Sequence, residues 1–333
     1  MDMNIIAKTR KITVENSIVS MENVSIGGVK QSIMIRGENR NNPVLLMIHG
    51  GPGQSGIYLS HMLNGPLEKY FTIVNWDQRG AAKSYSMSVK PESMKITQLL
   101  ADGEEVIQYV RNKLNKPNEK LYLHGHSFGT VLGMLMAKKY PNYFHAYIGT
   151  AQVVGLLDNL RVSYDWTIRK AIELGNQQAI NELKQIGRPP FKNFSKGLWK
   201  YSVWLAKFGG KMYSSQGTEI FKGIFSAPEY SLLDKIKFFR GALFSVKYLH
   251  QELLQTNLYE MVNSIDIPVY FFLGKHDFSA PYELAQDYLE QLKAPRKKLI
   301  WFEKSGHMPH YEEDSKYVGE LINVLNEQTN QQP

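Results

Sequence analysis

The sequence predicts an α/β protein: a mostly parallel sheet covered by helices on both faces, interrupted by a long helical insertion. Three observations predict it. Short apolar runs, "NPVLLMIHG", "YFTIVNWD", "KLYLHGHS" and "FHAYIGT", alternate with longer segments such as "ITQLLADGEEVIQYVRNKL", whose apolar residues recur at helical spacing. The short runs are apolar almost throughout, as expected of strands buried on both faces. The alternation then stops near Gln152 and resumes only at "DIPVYFFLGKHD".

The elements follow in order. "MENVSI-GG-VKQSIMIRG" reads as two strands joined by a two-residue turn at Gly27-Gly28. Four buried strands come next, with helices between them, up to about residue 151. From 152 to 262 the pattern is helical, and the composition shifts. This block holds 17 of the 39 aromatic residues and, with 15 Lys and Arg against 9 Asp and Glu, +6 of the net charge of +8. Such a shift inside a continuing α/β pattern predicts an inserted subdomain. From 263 to 333 the sheet resumes with "PVYFFLG", the helix "PYELAQDYLEQL", the strand "KKLIWFEKSGH" and a closing helix "PHYEEDSKYVGELINVLNEQ", for eight strands in all. The tail "TNQQP" is expected to fray.

Composition narrows the function. With no cysteine, disulfides, thiolate metal sites and a cysteine nucleophile are excluded. No apolar run approaches the ~20 residues that cross a bilayer. The N-terminus lacks the apolar stretch of a secretory signal, so the cytoplasm is the expected location and no membrane partner is expected. The positive charge is scattered and no nucleic-acid motif accompanies it, so nucleic acid is not an expected partner. "RGAAKS" lacks the glycines of a phosphate loop, and neither GxGxxG nor HExxH occurs. No cofactor and no metal are expected; the partner is a small-molecule or short-peptide substrate. The oligomeric state is not legible.

The chemistry is carried by "LYLHGHSFGTVLG". "KLYLHGH" reads as a strand and "FGTVLGMLMAKKYP" as a helix, with Ser127 where one becomes the other. That is the context of a nucleophile elbow, in which Gly125 and Gly129 let strand and helix approach and Gly133 keeps the next turn small. The competing assignment is a serine that merely caps the helix. A serine nucleophile needs a base, expected in a loop after a strand. His307, after "KKLIWFEKSG", has that position. His310 lies one turn into a helix, His124 lies inside the elbow strand and His126 is the elbow's variable residue, so packing or a backbone hydrogen bond is expected of those three. The base needs a carboxylate to hold its tautomer. Asp277, in "GKHD" after the preceding strand, supplies it, although it competes with Ser279 as a helix cap. Oxyanion donors are expected from the N–H of Phe128, after the nucleophile, and from the N–H of Gly51 in "HGGPG". The chain order serine, aspartate, histidine is that of an α/β-hydrolase.

These segments together resemble the proline iminopeptidase (prolyl aminopeptidase) family of α/β-hydrolases. "HGGPG" matches its oxyanion loop, "NWDQRGAAKS" its Asp-Gln-Arg-Gly segment, and "GHSFG", "GKHD" and "SGHMPH" its triad in order. The likeness runs from about residue 20 to 328 and is weak through the insertion. It implies a helical cap over the site and metal-independent release of an N-terminal residue, often proline. It also implies that Asp77 and Arg79 hold the loop beside the site rather than react. Two departures stand out. Ala82 replaces a usual glycine. The cap, which in the family holds the substrate's amine with carboxylates, is net basic here; Glu173, Glu182, Glu219, Glu229, Glu252 and Glu260 are its candidates. The alternatives are a carboxylesterase on small hydrophobic esters and a non-catalytic ligand sensor on the same scaffold.

Overall fold

In the computed structural model, residues 9–214 and 217–329 are described, with no account of the side chains of 217–221 and 329. The expected tail therefore falls almost wholly outside the described residues. Eight strands form one sheet: β1 (Ile18–Ile26), β2 (Val29–Gly37), β3 (Val44–Ile48), β4 (Thr72–Trp76), β5 (Leu121–His126), β6 (Phe144–Thr150), β7 (Val269–Gly274) and β8 (Lys297–Phe302). Their order is β1-β2-β4-β3-β5-β6-β7-β8. β1 and β2 form the expected hairpin, β2 pairs antiparallel with β4, and every later pairing is parallel.

The continuous apolar runs follow from burial on both faces. Along β7, Val269, Phe271 and Leu273 pack on one side, while Tyr270 and Phe272 pack on the other. The first face meets the helices Ile96–Lys113, Phe128–Lys139 and Tyr282–Gln291; the second meets Tyr317, Leu321 and Val324 of the helix Asp314–Thr329. Strand order reverses at β3, which lies between β4 and β5. Loops leaving β3 and β5 diverge there and open the crevice in which such sheets bind ligands.

Between β6 and β7 the chain forms helices over Leu156–Glu173, Gln177–Ile186, Phe194–Lys207, Gly217–Ser226, Leu232–Gln255 and Leu258–Met261. They have a core of their own, including Leu160, Tyr164, Leu183, Trp204 and Leu205. The segment leaves and rejoins the sheet domain at one point: Gly155 bridges Asn257, and the Leu258 N–H donates to Val154 O at 2.9 Å.

One expected element differs. The closing helix is split into Pro309–Glu312 and Asp314–Thr329, with Glu313 non-helical at φ −131°. The break sends two carboxylates back into the preceding loop. Glu312 accepts the N–H groups of Gly306 (2.7 Å) and Ser214 (2.8 Å), and Glu313 accepts the Lys304 N–H (2.8 Å) and Ser305 hydroxyl (2.7 Å). Helical periodicity in the sequence does not register such capping partners.

Candidate active site

β5 turns into the helix Phe128–Lys139 at Ser127, which sits at φ 54°, ψ −125°. A non-glycine residue there is strained and is held only by its surroundings. Its N–H is tied to Thr150 O at 3.0 Å. The turn needs its small neighbours: a Cβ on Gly125 would lie 2.6 Å from Gly129 O, and one on Gly129 would run into the carbonyls of Ile48 and His49. The Ser127 side chain makes no capping bond to the helix, contrary to the competing assignment. Its Oγ lies 2.9 Å from His307 Nε2 instead.

His307 Nδ1 donates to Asp277 Oδ2 at 2.8 Å, which leaves Nε2 free to accept the Ser127 hydroxyl proton. The other oxygen, Asp277 Oδ1, accepts the N–H groups of Ser279 and Ala280, both at 2.8 Å. Buried Asp277 thus serves the histidine and caps its own loop, and the helix Tyr282–Gln291 has no side-chain cap from Ser279. The His307 backbone is clamped on both sides: its N–H donates to Lys211 O at 2.7 Å and its carbonyl lies 2.9 Å from His126 Nε2.

The other three histidines take no bond from Ser127. His126 holds the His307 carbonyl. His124 Nε2 meets the hydroxyls of Tyr317 (2.6 Å) and Thr150 (2.9 Å), and the His310 ring packs edge-on against His126. Burial drives His124 and His310 down to about 3 and His126 well below the usual imidazole range, so all three are neutral at pH 7.

The loop after β3 passes directly beside the serine. A Cβ on Gly50 would stand 3.1 Å from Ser127 Cβ, and Gly51 sits at φ 121°, a conformation glycine alone adopts readily. His49 locks this loop to the next one. Its Nδ1 donates to Gly50 O (2.8 Å), its Nε2 accepts from the Gln78 N–H (3.1 Å), and Gln78 Nε2 donates to His49 O (3.0 Å). Burial depresses His49 to about 4, consistent with this neutral tautomer. Sequence reasoning missed Gln78; its signal was its place between Asp77 and Arg79 in "WDQRG".

Asp77 and Arg79 touch neither Ser127 nor His307. Arg79 is buried against Asp102 through two 2.8 Å contacts and donates to Gly27 O at 2.7 Å, so it ties the hairpin to the helix Ile96–Lys113. Asp77 accepts from the Ser55 hydroxyl, the Lys83 N–H (3.1 Å) and the Tyr230 hydroxyl (3.2 Å); burial raises its carboxyl to about 7. Tyr230 and the Lys83–Asp234 ion pair at 2.7 Å join this loop to the inserted helices. Ala82 stands at φ 36°, which explains why glycine would be expected there.

Ser127, His307, Gly51 and Phe128 open onto one cavity of about 1080 Å³. Its far wall comes from the inserted helices, with Leu156, Phe194, Tyr201, Phe238 and Val246 among the residues facing it. None of the described candidate glutamates lines it. Glu173 pairs with Lys170 (3.1 Å), Glu182 accepts from Trp204 Nε1 (3.1 Å) and Glu229 from Thr9 (3.0 Å). Glu252 accepts the Ile96 N–H (2.8 Å) and Glu260 accepts from Asn257 (3.2 Å). The side chain of Glu219 lies outside the described residues. Among the described residues no three His, Asp or Glu side chains group as a metal ion would require, and no helix is long and apolar enough to cross a membrane.

A family model described as the alpha/beta hydrolase fold matches residues 43–314. A probable aminopeptidase of Bacillus subtilis (strain 168), YbaC, is 36% identical over 309 residues, covering 92% of this chain and 96% of that protein. A proline iminopeptidase of Heyndrickxia coagulans is 23% identical over 316 residues, covering 91% and 97% of the two chains. The solved structure of a proline iminopeptidase of Mycobacterium smegmatis shares the fold at a TM-score of 0.68 and 14% identity, over 93% of this chain and 98% of that one. The chain therefore belongs to the α/β-hydrolase family, in its proline iminopeptidase-like branch, and is an enzyme, a serine hydrolase of that type.

Proposed function

We propose that Ser127, His307 and Asp277 act as a catalytic triad and that the enzyme is an aminopeptidase releasing N-terminal residues, proline among them, from short peptides. The observation that carries the chemistry is the unbroken hydrogen-bond chain from Asp277 through His307 to Ser127, opening on a single cavity. Ser127 Oγ attacks the scissile carbonyl while His307 Nε2 takes its proton; Asp277 stabilises the imidazolium. The N–H groups of Gly51 and Phe128 stabilise the oxyanion. The C–N bond breaks as His307 returns the proton to the leaving amine, and a water activated by the same histidine hydrolyses the acyl-enzyme. The segment 152–262 serves as the cap that closes the site from water. The peptide preference rests on likeness to relatives named as aminopeptidases.

A second reading, a carboxylesterase on small hydrophobic esters, is favoured by the absence of every described cap glutamate from the lining. Turnover of prolyl-, alanyl- and leucyl-anilides against short p-nitrophenyl esters separates the two. Anilide hydrolysis supports the peptidase; ester hydrolysis alone overturns it and leaves the triad standing. A fluorophosphonate probe tests the triad itself. Failure to label Ser127 would remove the enzymatic mechanism and leave a ligand-sensing scaffold.

A further inference from the structure

Lys211 has no role in the chemistry above, yet it lies against it. It follows the helix Phe194–Lys207 in a loop pinned to both halves of the charge relay. The His307 N–H donates to Lys211 O at 2.7 Å, and the Phe278 N–H, one residue past Asp277, donates to Gly210 O at 2.9 Å. The side chain is half-buried and lines the cavity. Among the described residues its ammonium has no ion pair and no hydrogen bond. The carboxylates close by are already engaged, Asp277 by His307 and two N–H groups, Glu312 by Ser214 and Gly306.

The rest of the lining makes this lysine unusual. Among the described residues its one carboxylate, Asp314, is exposed and accepts the Ser315 N–H at 2.7 Å. The other ammonium, Lys207, is exposed and sits 4.3 Å over the Trp204 ring. Lys211 is thus a lysine in the wall of a largely apolar cavity, with the carboxylates around it used up. Burial lowers its pKa from the ordinary lysine value, with the charge of Asp277 opposing. A half-buried ammonium without a counter-charge is costly unless a ligand supplies one.

We propose that Lys211 is an anion subsite that holds a carboxylate on the leaving part of the substrate. The side is set by chemistry: His307 gives its proton to the leaving group, so that group lies on the histidine's side of the scissile carbonyl, where the Lys211 loop is attached. Resting on the peptidase reading, this names the substrate class as dipeptides with a free C-terminus. In a dipeptide the leaving amine and the carboxylate sit on the same residue, so one cation beside the histidine reaches the charge while the amine is being protonated. A longer peptide, or a dipeptide amide, places no charge there.

The test uses substrate pairs that differ only in that carboxylate: Pro-Gly against Pro-Gly-amide, and the butyryl ester of 4-hydroxybenzoate against that of 4-hydroxybenzamide. Rates are expressed per serine titrated by a fluorophosphonate, so misfolded protein does not count. The wild-type enzyme is expected to favour the free acid by about 10- to 100-fold in kcat/KM, the range of a hydrogen-bonded charge. Lys211→Met is expected to collapse that ratio toward one, and Lys211→Arg to restore much of it. Equal loss on both members of a pair would overturn the subsite and make Lys211 a support for His307. Wild-type indifference to the carboxylate in both pairs would overturn it as well. If neither peptide is cleaved but the ester pair still shows the lysine-dependent preference, the peptidase reading fails and the subsite stands.

Discussion

The two walls of the active-site cavity are built differently. On the sheet side, position is set by hydrogen bonds to the main chain. The Ser127 N–H is held by the Thr150 carbonyl, the His307 carbonyl by the His126 ring, and the loop at Gly51 by the side chains of His49 and Gln78, while the insertion adds Lys211 O on the His307 N–H. On the helical side the wall is made of side chains such as Phe194, Tyr201 and Phe238, and the described glutamates are turned to partners elsewhere. The difference teaches where each property of the enzyme resides. On the mechanism proposed above, reaction geometry rests on a few hydrogen bonds to the main chain, and substrate preference on the apolar side chains of the opposite wall.

The largest test of that division is Ser127→Ala, which should lower kcat by about 10⁶ if the triad acts as a unit. Steady-state turnover measures it, and a near-normal rate would remove Ser127 as the nucleophile. Next is Asp277→Asn, expected to lower kcat by about 10⁴ by favouring the wrong tautomer of His307, with little change in KM. A loss confined to KM would instead place Asp277 in substrate binding.

The third concerns pH and belongs to the sheet side, where His124 and His310 titrate at about 3 and His49 at about 4. In the unfolded chain each takes up its proton near 6.5. Below that pH the unfolded state binds more protons, so stability present at pH 7 is lost as pH falls toward 4. The loss is about 1.4 kcal/mol per pH unit for each histidine. Asp77, raised to about 7, acts in the opposite sense between about 4 and 7, one carboxyl against three imidazoles. Tm should therefore fall from pH 6.5 to 4.5, and His310→Phe should make the fall shallower. A Tm that is flat or rises on acidification would contradict neutral burial of these rings.

A smaller effect is expected across the cavity. Phe194→Ala, which also removes the stack on His250 at 4.7 Å, should raise KM for apolar substrates about tenfold and leave kcat within about threefold. A large fall in kcat would mean that the helical wall also positions the reacting groups. The smallest is Ala82→Gly. Relief of the left-handed backbone, offset by the added freedom of glycine in the unfolded chain, should stabilise by about 1 kcal/mol or less in denaturant titration. Destabilisation would show that the Ala82 methyl packs well enough to outweigh the strain.

The same division decides what was legible in the sequence. Ser127, Asp277 and His307 each follow a strand, and buried parallel strands announce themselves as apolar runs, so the loops at their ends could be found by counting. The hairpin at Gly27-Gly28 was legible for a similar local reason. The split at Glu313 was not, because it depends on Ser214, Lys304 and Gly306, which are distant in sequence or lie in another loop. Nor could the direction of the cap glutamates be read. Helical spacing assigns a residue to a face of its own helix, and only the packing of helix on helix says what that face looks at. Lys211 escaped notice as one of many scattered lysines; its position beside His307 is a contact across 96 residues.

The narrow neck at Gly155 and Asn257 has a consequence for how this enzyme varies. Because the insertion departs and returns at a single bridge, its two ends are closed on each other whatever its length, and beyond the neck it meets the sheet domain through a few defined contacts. Helices within it can be lengthened, shortened or replaced as long as Gly210 and Lys211 keep their hold on the loops of Phe278 and His307, and Tyr230 and Asp234 theirs on the loop at Asp77 and Lys83. A graft made at the neck should therefore transplant the wall facing the cavity and leave the sheet in place only if it carries over the turn at Gly210 and Lys211.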